Sequence, residues 1–457
     1  MNMIPPRARR LDAGEKRDWT YYVELLATPV PRYTSYPTAA EFHDGITAAD
    51  MAEALRSVGA AAPVSLYLHI PYCREICWYC GCNTGAANRS ARLDAYLEAL
   101  HAEIDLVAST LDGRGSIGRV AFGGGSPNAI APAQFGALAM HLREAFGLTA
   151  PIISVEVDPR GFDTDWADAL GANGVTRASL GVQTFAPHLQ AAIGRVQPAE
   201  LIERSVELLR GAGVTSLNFD LMYGLPGQTD EDLSDSIRQA VALRPDRLAV
   251  FGYAHVPHLI PRQRRIDATN LPDTHARFLQ AELAHRELTA AGYAAVGFDH
   301  FALPDDSLAS ASRDGSLRRN FQGFTEDKAG ILIGLGATAI SSFPDRLLQN
   351  EKNVGQYRAL VGGGILPASR GIHRDADDRH RAQIIERLLA SGHVDAALLM
   401  GMEDGISRLA PYLARGLVNL SDNALDLAAD ALPYARSIAC AFDKYRGHAS
   451  TRFSSAV

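Results

Sequence analysis

Cysteine is scarce in this sequence, five residues in 457, and the scarcity is uneven, because four of the five lie between Cys73 and Cys82. The spread of paired cysteines that staples a small secreted fold is therefore missing. Long apolar runs are missing too. The most apolar stretch, "AGILIGLGATAISSF" from Ala329, is short and glycine-rich, well under the roughly 18 to 20 residues that a membrane-spanning helix needs. No apolar segment follows the early arginines of "MNMIPPRARRLDAGEKRDW", so no secretory signal is expected there. There is no low-complexity segment and no excess of positive charge. Lysine and arginine number 44 against 52 aspartates and glutamates, a net charge of −8, which disfavours a general binder of nucleic acid or of anionic membranes. What remains is an ordinary globular composition, 47% hydrophobic and 21% charged, expected in the cytoplasm as one large domain plus a smaller one.

Short β-rich runs recur at 65–70, 118–124, 151–158, 176–183, 215–224 and 246–254. Amphipathic stretches such as 92–109, 132–146 and 198–213 lie between them. This alternation predicts an α/β fold, a parallel sheet with helices outside. Six strand–helix units fall short of eight, so the expectation is an incomplete, TIM-like (β/α)6 barrel over residues 61–365. An N-terminal arm (1–60) precedes it and a mainly helical C-terminal domain (366–457) follows. In such barrels the working groups sit at the C-terminal ends of the strands. The unusual residues fall there: the cysteines, "GGGSP", Glu156 and Asp158, Gln183, Asp220 and Tyr223, Tyr253 and His255.

The cysteines are spaced Cys73-x3-Cys77-x2-Cys80-x-Cys82. In a reducing compartment such a cluster points to metal or redox chemistry. Thiolates hold iron–sulfur clusters, and a [4Fe–4S] cube takes one ligand per iron, so three cysteines leave one iron open. Zinc is disfavoured, because no second cysteine pair exists and Cys440 is far away in an expected helix. Inert buried thiols are the bland alternative. Spacing alone does not exclude Cys82 as a ligand. Glycines 123–125 follow a predicted strand, where backbone can approach a ligand closely, or simply turn.

At these residues the sequence resembles the radical S-adenosylmethionine superfamily, whose Cys-x3-Cys-x2-Cys signature Cys73, Cys77 and Cys80 match. Beyond it, "PRYTSYPTAAEF", "LYLHIPYCREICWYCGCN", "FGGGSPN", "SVEVDPR", "SLGVQTF", "NFDLMYGLPGQT" and "ISSFPDRLLQNEKNVGQY" resemble the oxygen-independent coproporphyrinogen III oxidases over nearly the whole chain. The resemblance implies a [4Fe–4S] cluster on Cys73, Cys77 and Cys80, with Cys82 an extra. It implies two molecules of S-adenosylmethionine, the first at Tyr67, Gly124, Glu156 and Ile340. The second would lie at Tyr79, Gly125, Ser126, Gln183, Arg195, Asp220 and Ala254. Tyr67 and the three cysteines would be the catalytic set. A 5′-deoxyadenosyl radical would start the oxidative decarboxylation of two propionates of coproporphyrinogen III to vinyl groups. The implied partners are a low-potential electron donor and an electron acceptor, with the chain a monomer.

A four-carboxylate substrate calls for positive charge near the cleft, and arginine's planar fork suits carboxylates. Candidates are Arg32, Arg262, Arg264, Arg265, Arg318 and Arg319. Tyr33 and Tyr36 would stack on a tetrapyrrole or staple the arm down, and His69, His255 and His300 read as structural hydrogen-bonders. Three features depart from the family pattern: Gly194 before Arg195, where it usually has asparagine; Gly252 in "GYAH", where it has "NYAH"; and the stretch after "RGI". Alternative readings are a haem chaperone, an anaerobic haem-degrading radical enzyme and a catalytically retired paralogue.

Overall fold

The computed structural model describes residues 19–87 and 90–448. Six strands, β1 (Pro63–Ile70), β2 (Ser116–Gly124), β3 (Ile152–Val157), β4 (Val175–Gln183), β5 (Ser216–Tyr223) and β6 (Arg247–Gly252), run parallel and neighbour one another in that order. They correspond to the six β-rich runs of the sequence. Strand alternation decides what faces inward. On β3, Ile153, Val155 and Val157 join the core under the helices, whereas Ser154 and Glu156 line the barrel lumen. On β5, Leu217, Phe219 and Leu221 go outward while Asn218 and Asp220 go in.

Parallel neighbours need crossovers, and helices supply them. After α1 (Ala48–Arg56) come α2 (Ser90–Leu111), α3 (Pro132–Phe146), α4 (Thr164–Ala172), α5 (Ala199–Gly211), α6 (Asp230–Ala242) and α7 (Thr274–Ala290). Each buries a stripe; on α2 it includes Leu97, Leu100, Ile104, Val107 and Leu111, at helical spacing.

The sheet continues past both edges. Beyond β6 it adds β8 (His300–Ala302) and then β7 (Ala294–Val296), both antiparallel. A hairpin of β9 (Arg318–Asn320) and β10 (Gly323–Thr325) stands apart. Beside β1 lies β11 (Ile331–Leu335), parallel, followed by antiparallel β12 (Ile340–Phe343), β13 (Arg346–Asn350) and β14 (Ala368–His373). The apolar run from Ala329 thus supplies a buried strand. The result is one twelve-stranded sheet with a half-barrel at its centre.

Two expectations need correction. Residues 368–373, expected in the C-terminal domain, form the edge strand β14 of the main sheet. The rest is less helical than its periodicity suggests. Helices α8 (Val354–Gly362) and α9 (Ala376–Ser391) are regular, but after them come short turns and a three-stranded sheet, His393–Asp395, Val418–Leu420 and Ala424–Leu427. Gly401 and Gly416 adopt positive φ, and Pro411 and Pro433 interrupt helix continuation. Cys440 sits in a 3-10 turn just after α10 (Ala435–Ala439), not inside a long helix. The arm divides: Trp19, Leu25, Leu26, Tyr33 and Tyr36 share a core with Ile384, Ile438 and Phe442, whereas Met51 and Leu55 of α1 join the barrel core. The rest of the expected arm, residues 1–18, lies outside the described residues.

The barrel floor is closed by charge. Glu326 accepts from Arg119 of β2 at 3.0 Å, from Arg247 of β6 at 3.4 Å, and from Arg177 of β4. Burial would push the Glu326 carboxyl up, but Arg247, Arg177 and Arg119 together hold it well below the usual range. The group is ionised in the fold at pH values where the unfolded chain is protonated. Its stabilisation is therefore full above the ordinary glutamate pKa and is lost as pH falls. Glu326→Gln should lower stability at neutral pH by about 3 kcal/mol, because half-buried Arg177 loses its carboxylate partner and Arg119 and Arg247 keep only Asp327 and Asp306. It should also flatten the loss of stability in acid; urea midpoints at pH 7 and pH 4 check both.

Candidate active site

All four clustered cysteines lie on one loop after β1. Its ends are zipped by a two-residue parallel bridge, Tyr72–Cys73 with Gly85–Ala86. Cys73 and Cys77 are buried, Cys80 is half-buried and Cys82 exposed. The loop is clamped from three sides. Trp78 N donates to Ile193 O at 3.0 Å. Gln263 Nε2 donates to the carbonyls of Tyr79 (2.9 Å) and Ala254 (3.0 Å). Arg262 donates to Thr84 Oγ1 at 2.9 Å and Cys82 O at 3.3 Å.

The Cys77 sulfur accepts from Arg160 Nη2 at 3.2 Å and Arg195 Nη1 at 3.3 Å. Both guanidiniums also bind Asp158, at 2.6 and 3.2 Å. Arg195 is further held by the Gly181 carbonyl at the end of β4. Burial pushes the Cys73 thiol up to about 12, with Cys80 and Asp158 adding to it. Hydrogen bonding from Cys82, helped by Arg262 and Arg195, brings Cys80 down to about 6. Thiols in such mutual repulsion need nearby cations to ionise together, which ligated iron provides. Among the described residues no three His, Cys, Asp or Glu side chains gather around a single-ion centre. A cluster taking one thiolate per iron asks for wider spacing.

Beside the loop, "GGGSP" turns off the end of β2. Gly124 has φ +116°, and a Cβ there would come within 2.7 Å of the His69 ring. At Gly125 a Cβ would fall 2.5 Å from Tyr72 O. The two segments are tied by Gly125 N to Ile70 O and Ser126 N to Tyr72 O, both 2.8 Å. Gly124 N donates to Glu156 Oε2 at 3.1 Å. Burial pushes Glu156 up to about 7, against that amide and with the Asp220 charge adding. Asp220, also raised by burial, accepts from Ser179 Oγ and Asn218 Nδ2.

Glu156 and Asp220 line the same lumen cavity, about 270 Å³, with His300 and Phe251. Tyr67, buried on β1, meets His69 Nδ1 at 3.2 Å and stacks edge-on against Phe321 at 4.5 Å. Ile340 opens β12 and lines an adjoining cavity of about 410 Å³ with Phe321, Tyr33 and Tyr36. Gln183 ends β4 in the left-handed region, φ +67°. Tyr67, the cysteines, Gly124 to Ser126, Glu156, Gln183, Arg195, Asp220 and Ala254 thus collect at or below one rim.

Other expectations resolve differently. Arg262 braces the cysteine loop and Arg265 lies over the Trp78 ring at 5.3 Å, so neither faces the cleft. Arg318 pairs with Glu386 at 2.8 Å. Tyr33 and Tyr36 act as staples: Tyr33 Oη donates to Asp443 Oδ2, and Tyr36 Oη accepts from Lys444 N. His69, His255 and His300 bond Tyr67, Tyr253 and Asp299 respectively. Gly194 has φ +66°, and a Cβ there would lie 2.7 Å from the Trp78 ring, which takes up space an asparagine would need. The Gly252 carbonyl accepts from Arg32 Nη2 at 2.9 Å. Sequence reasoning missed Arg160 and Gln263, isolated polar residues with no spacing signal; only their position after "VDP" and "IP" at strand ends hinted at a rim role.

The radical SAM superfamily pattern matches residues 67–240. The oxygen-independent coproporphyrinogen III oxidase of Bradyrhizobium diazoefficiens is 44% identical over 425 residues, covering 91% of this chain and 94% of that protein. The Escherichia coli enzyme of the same name is 38% identical over 427 residues, 91% of this chain and 93% of its own. The chain belongs to the oxygen-independent coproporphyrinogen III oxidases. The solved E. coli coproporphyrinogen III oxidase, described as a radical SAM enzyme, superposes with a TM-score of 0.87 at 35% identity, covering 94% of this chain and all of that one. This oxidase is accordingly a radical SAM oxidoreductase with a [4Fe–4S] cluster and S-adenosylmethionine as its cofactors. Among the described residues no helix is long and apolar enough to cross a membrane.

Proposed function

We propose that this oxidase converts coproporphyrinogen III to protoporphyrinogen IX by oxidative decarboxylation of two propionates, without oxygen, in the cytoplasm and as a monomer. The observation that carries the reading is the clamped cysteine loop beside the Gly124–Ser126 turn, opening onto a lumen walled by Glu156 and Asp220. When bound, the cluster and S-adenosylmethionine supply an electron and a primary-carbon radical that removes a propionate β-hydrogen. Cys73, Cys77 and Cys80 would hold the cluster, with Arg160 and Arg195 donating to the Cys77 sulfur. Gly124 and Glu156, with Tyr67 and Ile340, place the first S-adenosylmethionine. A second is proposed at Tyr79, Gly125, Ser126, Gln183, Arg195, Asp220 and Ala254. A low-potential donor and a separate acceptor complete the electron balance.

The test is an anaerobic assay of reconstituted protein with coproporphyrinogen III, S-adenosylmethionine and a strong reductant, following protoporphyrin by fluorescence. Protoporphyrin with 5′-deoxyadenosine is expected. 5′-Deoxyadenosine without protoporphyrin would replace the substrate, and tight haem binding with neither product would make the chain a haem carrier.

Glu156 provides a pH test. Its carboxyl, at about 7, must be ionised to accept from an ammonium or ribose hydroxyl. S-adenosylmethionine affinity should therefore rise by up to about tenfold per pH unit below 7 and level off above it. Glu156→Gln should weaken binding about tenfold at pH 8 and remove the slope. Equilibrium binding across pH 5.5 to 8.5 decides, and an unchanged slope in the variant would reject the assignment.

A further inference from the structure

Above the lumen, beside the end of β6, lies a small cavity of about 50 Å³. Its wall is built from four separate stretches of chain: Arg32 of the arm, Arg277 of α7, Asp299 after β7 and Arg436 of α10. A fourth guanidinium, that of Arg319, lines the neighbouring cavity of about 410 Å³ and meets this wall through Arg32 and Phe298. Arg319 stacks over Phe298 and Phe324 at 4.9 and 4.4 Å and donates to the Arg32 carbonyl at 3.2 Å.

Charge here is not balanced as it is at the barrel floor. There Arg119, Arg177 and Arg247 face Glu326, Asp327 and Asp306. Here, among the described residues, Asp299 is the one carboxylate in the cavity wall, and it bonds His300 Nδ1 at 2.6 Å. Burial and then the repulsion of Arg32 bring Arg436 down to about 10. Arg277 Nε, Arg319 Nε and Arg319 Nη1 are buried with no hydrogen-bond partner. Donors in that condition carry a desolvation cost that an anion would remove.

The size of the space selects the anion. A cavity of about 50 Å³ holds a few water-sized groups, too little for a tetrapyrrole ring or a nucleoside and enough for one carboxylate. Phe251 forms part of its wall and also part of the wall of the lumen that contains Glu156 and Asp220. The two cavities therefore adjoin at Phe251.

We propose that Arg32, Arg277, Arg319 and Arg436 form a receptor for one propionate carboxylate of the tetrapyrrole, a propionate other than the one losing carbon dioxide. The proposal rests on the reading of function above and adds the residues that orient the substrate. Guanidinium forks bind carboxylates in bidentate fashion, which fixes direction as well as position. A reacting propionate cannot occupy this site, because its carboxylate leaves as carbon dioxide and its β-carbon must reach the radical. The other carboxylate source is the methionyl group of S-adenosylmethionine, and the experiment separates the two.

Anaerobically reconstituted full-length protein and its Arg32→Gln and Arg277→Gln variants are titrated with oxidised coproporphyrin III and with its tetramethyl ester, by fluorescence quenching, and separately with S-adenosylmethionine. Wild type should bind the tetra-acid about tenfold or more tightly than the ester, the scale of one charged hydrogen-bonded pair. Each variant should lose about tenfold of tetra-acid affinity, keep its ester affinity, and raise KM for coproporphyrinogen more than it lowers kcat. Wild-type protein that binds ester and acid equally overturns the proposal without any variant being needed. So do variants whose S-adenosylmethionine affinity falls while tetra-acid affinity holds, which would make the carboxylate the methionyl one. Wild type that turns over coproporphyrinogen while both variants keep full tetra-acid affinity rejects this receptor alone. Wild type that does not turn it over rejects the function, and the receptor with it.

Discussion

Serine in place of Cys77 is expected to strip the protein of its iron–sulfur absorbance and of all 5′-deoxyadenosine formation. Cys77 is the buried thiol on which two arginines converge, Arg160 at 3.2 Å and Arg195 at 3.3 Å. Both guanidiniums donate to that sulfur; an alcohol stays protonated and binds iron poorly. The variant also leaves Arg195 with Asp158 as its ion-pair partner, and Arg160 with Asp158 and Glu75. Loss of a supporting group around a metal typically costs about 10–100-fold in affinity or activity, so loss of the ligand itself should exceed about 100-fold. Cys82→Ser should behave differently. Cys82 is exposed, and it gives Cys80 Sγ a side-chain hydrogen bond, which a serine hydroxyl can replace, and a backbone N–H at 3.4 Å, which serine keeps. Iron and sulfide content, read with visible absorbance, should stay at wild-type level in this variant and fall to background in Cys77→Ser. Iron loss in Cys82→Ser would make Cys82 a ligand and overturn the three-cysteine assignment.

The parts legible in the sequence are those written as local pattern. The six parallel strands carry alternating or continuous apolar residues between polar and glycine breaks, and the fold realises all six. The cysteine cluster is legible because thiols are otherwise so rare, and its loop falls after β1, at the rim. Strand β11 was visible as an apolar run, but nothing local announces that Ile331–Leu335 pairs with the far edge of β1. Charge was the least legible feature. Arg262 and Arg265 read like substrate ligands and turn out to brace the cysteine loop, whereas Arg277 and Arg436, unmarked in their helices, reach the cavity above the lumen. Direction of a long side chain is set by packing partners hundreds of residues away, and a single sequence does not contain it. Gly194 illustrates the same point: alone it reads as a lost hydrogen bond, yet beside Trp78 it is the residue that leaves room for the ring.

Alanine in place of Gly125 should be nearly as damaging as loss of a thiol, although it adds one methyl group. The backbone of Gly125 needs no special conformation, so the effect is one of space alone. Its Cβ would fall 2.5 Å from Tyr72 O and 2.8 Å from Tyr72 N and C. These are main-chain atoms, which cannot rotate aside as a side chain can. Tyr72 immediately precedes Cys73 and is fixed on its other flank by pairing with Gly85. Relief of the clash must therefore move the strand that presents the first thiol, or break the 2.8 Å bonds from Gly125 N to Ile70 O and from Ser126 N to Tyr72 O. Forced insertion into a filled site costs about 1–3 kcal/mol, and the displacement falls where geometry matters most, since misplacement of about 1 Å can cost 100-fold in rate. Gly125→Ala should thus fold with a urea midpoint lowered in proportion, retain less iron than wild type, and form 5′-deoxyadenosine at about one hundredth of the normal rate or less. Gly118, where a Cβ meets nothing within 4 Å, is the control, on the strand that leads into Gly125. Wild-type iron content and turnover in Gly125→Ala would show that the two segments do not meet as closely as the structure places them.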